Sequence, residues 1–218
     1  MHVTTHNKPL ILITEFLTLF IGIPMLLFFT ASRVGIYMAL WGAGIYALVV
    51  LRRAPDFSWR RLWLGDGWSR AAQRRAFCRF VVLAALVAVI TAVAMPEHLL
   101  QFPLSRFWVW LLVMVLYPLL SIVPQELFFR SFYFARYSGF VTERAAGLLV
   151  NGLVFGFSHI VLNNWIAPSF CAIAGVILAH SYRQHRSLKW AVIEHSLYGC
   201  WIFTIGIGWY FFTGNWRH

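Results

Sequence analysis

The chain alternates between long apolar blocks and short stretches rich in arginine. A helix of about 20 residues rises about 30 Å, the thickness of a bilayer's hydrocarbon core, so each block predicts a membrane-crossing helix. Seven spans follow: Leu10 to Thr30, Val34 to Leu51, Phe77 to Met95, Phe107 to Tyr137, Ala145 to Leu162, Ala167 to Tyr182 and Leu188 to Phe212. The first holds Glu15 and Pro24 and runs almost directly into the second, which a cleaved signal segment would not do, so its retention is expected. The second is rich in small residues (Gly35, Gly42, Ala43, Gly44) that let helices approach closely. At about 31 residues the fourth is longer than a crossing needs and contains Pro118 and Pro124, so it is expected to be tilted, broken at a proline, or extended beyond the membrane.

Composition agrees with this pattern. Of 218 residues 61% are hydrophobic and 11% charged, with a mean hydropathy of +0.72, which excludes an ordinary soluble domain. The expectation is one all-α, polytopic helical membrane bundle, with N-terminal helices and a basic loop over residues 1–106 and a core over 107–218, all in one membrane domain. The net charge of +11 is read as topology rather than nucleic-acid binding. Between Arg52 and Arg79 eight arginines face only Asp56 and Asp66, interleaved with Trp59, Trp63 and Trp68, as in a cytoplasmic loop with interfacial anchors. Alternation then puts Lys8, Arg136, Arg144, Arg183, Arg186 and Lys189 on the same side and only Arg33, Arg106 and Arg217 on the other. An inner (plasma) membrane protein with its N-terminus in the cytoplasm is expected.

Against this apolar background the polar residues within the spans stand out. Val123-Pro124-Gln125-Glu126-Leu127-Phe128-Phe129-Arg130 places a carboxylate and a guanidinium four residues apart, on one helical face. A charge at bilayer depth costs about 3 kcal/mol, so such residues face a bundle interior or a wet cavity. Two readings stay open for this segment, a working site and an ion pair that staples helices. Asn151, Phe155, Ser158 and His159 share a roughly 100° arc of the fifth span. Glu194 and His195 lie in the last span, with Glu194 either in the site or solvated near the interface. At 1.5 Å per residue, Glu126 lies about 16 Å, His159 about 21 Å and His195 about 10 Å from the cytoplasmic ends of their helices, so the three can meet in one layer. A buried carboxylate with two imidazoles can activate water directly or through a divalent metal such as zinc held by Glu126, His159 and His195. No His-Glu-x-x-His helix supports a metal. Cys78, Cys171 and Cys200 lack paired spacing and read as small core residues. No phosphate-cradling loop and no Gly-x-Ser-x-Gly sequence is present.

Three motifs, Gln125-Glu126-x-x-x-Arg130, Phe155-x-x-x-His159 and His195-x-x-x-Gly199, resemble those of the CAAX-protease and bacteriocin-processing (CPBP, or Abi) family of intramembrane endopeptidases. That family reads Glu-Glu-x-x-x-Arg, Phe-x-x-x-His and His-x-x-x-Asn, and the resemblance covers roughly Phe107 to Phe212. It implies a membrane peptidase in which a glutamate activates water and histidines assist or stabilise the oxyanion, acting on a membrane-associated protein or peptide. On this resemblance Glu126, His159, His195 and Arg130 are the catalytic candidates, supported by Gln125, Phe155, Asn151, Ser158, Glu194 and Gly199. The chain departs from the pattern at Gln125, an amide without useful basicity, and at Gly199, which removes a side-chain donor. Three accounts stay open: Glu126 acts as base, Gln125 silences an otherwise active enzyme, or the chain is an inactive relative. The alternatives to a peptidase are a membrane scaffold or immunity protein and a small lipid-handling or transport protein.

Overall fold

A computed structural model describes residues 9–30, 32–65, 69–137 and 145–212. Lys8, Asp66, Trp68, Arg144 and Arg217, used above to count charges, lie outside the described residues. Among those described there is no strand and there are nine α-helical elements: α1 (Pro9–Thr30), α2 (Arg33–Arg52), α3 (Trp59–Leu64), α4 (Arg70–Ala94), α5 (Gln101–Ser105), α6 (Phe107–Arg136), α7 (Ala145–Ser158), α8 (Ile166–His185) and α9 (Leu188–Ile205). The fold is an all-α polytopic bundle. Five of its helices are long and apolar enough to cross a membrane: α1, α2, α4, α6 and α7 with its 3-10 extension to Leu162. The last two of the seven expected spans, α8 and α9, have the length without the same apolarity. Buried polar groups explain this for α9, which holds Glu194 and His195 and packs against α3, α4, α5, α6 and α8.

Serine caps set several helix starts. The hydroxyls of Ser32, Ser58, Ser69 and Ser187 accept from the backbone N–H groups of Gly35, Arg61, Ala72 and Trp190, satisfying donors that a helix leaves unpaired in its first turn. The Ser69 cap starts α4 seven residues before the expected Phe77, so Arg70, Arg74, Arg75 and Arg79 stand on a helix rather than in a loop. The last span ends earlier than expected, at Ile205. Gly206 there has φ of 110°, a backbone conformation that favours glycine, and a Cβ at that position would collide with the carbonyl of His98.

The fourth span is overlong and irregular, as its prolines predict. α6 is π-helical over Pro118–Ile122 and again over Leu127–Phe132, with four α-helical residues, Val123–Glu126, between. Proline removes an N–H and crowds the carbonyl four residues back, and a π turn relieves this by widening the helix. The irregular stretch is covered by protein: from Ile122 to Tyr137 every residue but Val123 and Leu127 is buried. α2 crosses it so closely that a Cβ on Gly44 would stand 3.0 Å from Pro124 Cβ. α1 packs Phe20 on Phe128, with ring centroids 4.8 Å apart. At the end of α6, Glu15 of α1 accepts from Arg136 Nε and Nη2 at 2.9 and 2.7 Å, from the Tyr137 hydroxyl at 2.9 Å and from the Tyr46 hydroxyl at 3.0 Å. Arg136, counted above as a topological charge, is thus also a clamp between helices. α7 and α8 approach nearly backbone to backbone, since a Cβ on Gly175 would lie 2.8 Å from Gly152 Cα.

Candidate functional site

Glu126 and Arg130 are both 0% exposed. The spacing that suggested a pair produces one, with Arg130 Nε 3.4 Å from Glu126 Oε2. Two buried charges need more than each other. Arg130 Nη1 also donates to Asn151 Oδ1 at 2.9 Å, Asn151 Nδ2 donates to the Phe129 carbonyl at 2.7 Å, and the guanidinium stacks over the Phe155 ring at 4.8 Å. Asn151 and Phe155, one helical turn apart on α7, therefore hold the charged end of Arg130 in place.

The other Glu126 oxygen, Oε1, accepts from His195 Nδ1 at 2.8 Å. A carboxylate only accepts, so Nδ1 carries a proton, and in the neutral imidazole Nε2 presents its lone pair on the far side of the ring. His159 is set in the same way. Its Nδ1 donates to the Phe155 carbonyl at 2.7 Å, an oxygen that also accepts from the Ser158 hydroxyl at 2.7 Å. Both imidazoles pack on Phe155, with centroids 4.8 Å (His159) and 5.6 Å (His195) from that ring. The helices α6, α7 and α9 thus bring Glu126, Arg130, His159 and His195 together around one phenylalanine.

The two histidines and Ser158 line a mainly apolar cavity of about 1330 Å³ to which all seven long helices contribute. Glu126 is not on its wall. It sits behind His195, so the group that can touch a molecule in the cavity is the imidazole. Gln125 does reach the wall, donating from Nε2 to the Ser121 hydroxyl at 2.7 Å while its Oε1 is buried without a hydrogen-bond partner.

Glu194 is not solvated. It is 1% exposed and paired with Arg79, which ties α9 to α4. One residue on a helix is a rotation of about 100°, so adjacent Glu194 and His195 serve different neighbours. Cys171 is buried as expected and Cys200 partly so, but Cys78 is exposed on α4 rather than in the core.

A metal held by Glu126, His159 and His195 does not fit these positions. One Glu126 oxygen is bound by His195 and the other faces Arg130. Among the described residues no three His, Cys, Asp or Glu side chains are grouped to hold an ion.

Two residues beside the site gave no signal in the sequence. Tyr117 and Ser121 of α6 both line the cavity. They lie eight and four residues before Gln125, but one aromatic and one hydroxyl in an apolar run look like ordinary packing.

Fold and site together define a multi-pass membrane protein with a buried acid, base and imidazole cluster against an apolar cavity. Residues 105–201 match the family model of the Rce1-like type II CAAX prenyl endopeptidases. The family resemblance carried by the three motifs, all within that segment, is thereby borne out, and the family is one of proteases. No curated protein and no solved structure matches the chain.

Proposed function

We propose that this protein is an intramembrane endopeptidase that hydrolyses a peptide bond of a membrane-associated protein or peptide with a water activated by His195. The observation that carries this reading is the 2.8 Å bond from His195 Nδ1 to Glu126 Oε1. It fixes the tautomer that leaves Nε2 basic at the cavity wall, and it places a carboxylate where the imidazolium formed on proton transfer needs a counter-charge.

In this mechanism His195 Nε2 takes a proton from water as the water oxygen adds to the scissile carbonyl carbon, and the carbonyl electron pair moves to oxygen. The same imidazolium then gives its proton to the amine as the C–N bond breaks. His159 Nε2, also an acceptor, holds the second O–H of the water. Glu126 and Arg130 are positioning residues, the first orienting His195 and the second balancing the carboxylate through its own bond to Asn151. On this account the amide at Gln125 does not disable the site, because proton transfer runs through His195.

The cavity exceeds the 300–1,000 Å³ usual for small-molecule pockets, and its apolar lining suits a lipid chain or a hydrophobic peptide segment. Prenylated CAAX termini, the substrate in the family description, are one such class, entering from the cytoplasmic side of an inner membrane. The test is cleavage of a farnesylated CAAX peptide by the purified protein in liposomes. The parent should release the C-terminal tripeptide and His195→Ala should not. Equal release by both would sink the assignment.

A further inference from the structure

Hydrolysis of a peptide bond puts negative charge on the carbonyl oxygen, and in an apolar cavity that charge needs a hydrogen-bond donor about 3 Å away. Apart from the Ser121 hydroxyl, which accepts from Gln125 and keeps its own proton, the groups described so far face the cavity as acceptors or are already engaged. His159 and His195 have committed their Nδ1 protons to the Phe155 carbonyl and to Glu126. Gln125 Nε2 donates to Ser121. Arg130 is fully buried among Glu126, Asn151 and Phe155.

Tyr117, one turn before Ser121, supplies such a donor beside the proposed base. Its ring packs edge-on against Phe203 of α9, with centroids 5.0 Å apart. It also lines the cavity. Among the described residues its hydroxyl has no hydrogen-bond partner. The hydroxyl lies over Gly199, where an added Cβ would stand 3.0 Å from the oxygen and 2.5 Å from Cε1. Gly199 is one turn beyond His195 on the same face of α9, and side chains so spaced have Cβ atoms about 6 Å apart. The tyrosine hydroxyl therefore occupies the space that any side chain at 199 would fill, next to the proposed base.

Resting on the reading of the site as a peptidase, we infer that Tyr117 is a further catalytic residue, whose hydroxyl donates a hydrogen bond to the carbonyl oxygen of the scissile peptide and to the oxyanion formed from it. No proton is transferred from Tyr117. Its O–H bond persists while water adds to carbon and His195 takes the water's proton. Gly199 is the condition for this arrangement, because its missing side chain admits the phenol.

The test uses the full chain in liposomes with the farnesylated CAAX peptide, reading kcat and KM separately beside the melting midpoint. Tyr117→Phe keeps the ring and removes the donor. It should lower kcat by ~10²–10³, the usual worth of one oxyanion donor, with KM within threefold and the melting midpoint unchanged. Tyr117→Ala combined with Gly199→Asn returns a donor from the opposite helix, and it should recover at least tenfold in kcat over Tyr117→Ala alone. A Tyr117→Phe protein within threefold of the parent in kcat, or one altered only in KM, overturns the inference while leaving the peptidase reading intact if His195→Ala is inactive in the same assay. A double variant no faster than Tyr117→Ala overturns it equally. A parent that does not cleave the peptide, or a His195→Ala protein that cleaves as well as the parent, overturns both readings.

Discussion

Glu126→Gln separates the two roles assigned to one carboxylate. The substitution keeps the shape but removes the charge that faces Arg130 and the oxygen that dictates the His195 tautomer. An amide can turn its NH2 toward Nδ1, and the imidazole then carries its proton on Nε2 and is no longer a base. Loss of the correct tautomer costs up to ~10⁴ in kcat in serine proteases, where a carboxylate plays the same part. A fall of ~10²–10⁴ is therefore expected. Stability should fall as well, because breaking a buried pair costs ~3–5 kcal/mol. The lower end applies here, since Arg130 keeps its bond to Asn151 and its stacking on Phe155. Folded yield and melting in detergent, read beside peptide release in liposomes, distinguish the two effects. Adding Arg130→Met removes the stranded cation and should restore folded yield without restoring activity, because a buried ion pair can be replaced by apolar residues at little cost. Retention of a third or more of the parent's kcat by Glu126→Gln, at equal folded yield, would refute the coupling between this carboxylate and His195.

Gln125→Glu should leave the rate unchanged or lower, since the added carboxylate repels Glu126. A rise of ~10² would instead mark the parent as a silenced enzyme awaiting a base at that position. Asn151→Ala leaves Arg130 Nη1 and the Phe129 carbonyl with only their mutual 3.4 Å contact and should cost about 2 kcal/mol by denaturant unfolding in detergent. That is well above the ~0.6 kcal/mol average for side-chain hydrogen bonds within membranes, so a loss below that average would show that Arg130 finds another acceptor. A reporter fused after His218 should lie outside the cytoplasm and one inserted at Gly65 inside; the reverse would mean that the expected alternation has been miscounted.

Much of this arrangement is legible in the sequence because the bilayer penalises polar groups so heavily. Glu126, Arg130, Asn151, His159 and His195 stand out against apolar runs, and depth along each helix is enough to bring them into one layer. The motif pattern adds their grouping in a family. What the sequence does not reveal depends on rotation about the helix axis and on neighbours distant along the chain. Which of Glu126 and His195 meets the cavity is decided by the packing of α6 against α9. The direction taken by Glu194 depends on Arg79, 115 residues away. Tyr117 is hidden because its importance comes from an absence, the missing side chain of Gly199. The early end of α9 could have been anticipated from Gly206, but only its positive φ and the nearby His98 carbonyl make that glycine a stop rather than a packing residue.

The close pairing of α7 with α8 bears on the order in which the protein can become active during synthesis. The two helices are neighbours in sequence, joined by a short turn, and meet through small residues. Local contacts of this kind form quickly and without the rest of the chain. The turn that follows α7 carries His159, so one imidazole is set in place by a hairpin. The other half of the proposed machinery is long-range, with Glu126 and His195 separated by 69 residues and His195 on α9, the last of the seven long helices to leave the ribosome. A chain stalled before that helix would carry an oriented His159 and a Glu126 without the base that joins them. Under the proposed mechanism, hydrolytic capacity is therefore withheld until α9 has been made and inserted, which protects neighbouring membrane proteins from a partly built hydrolase.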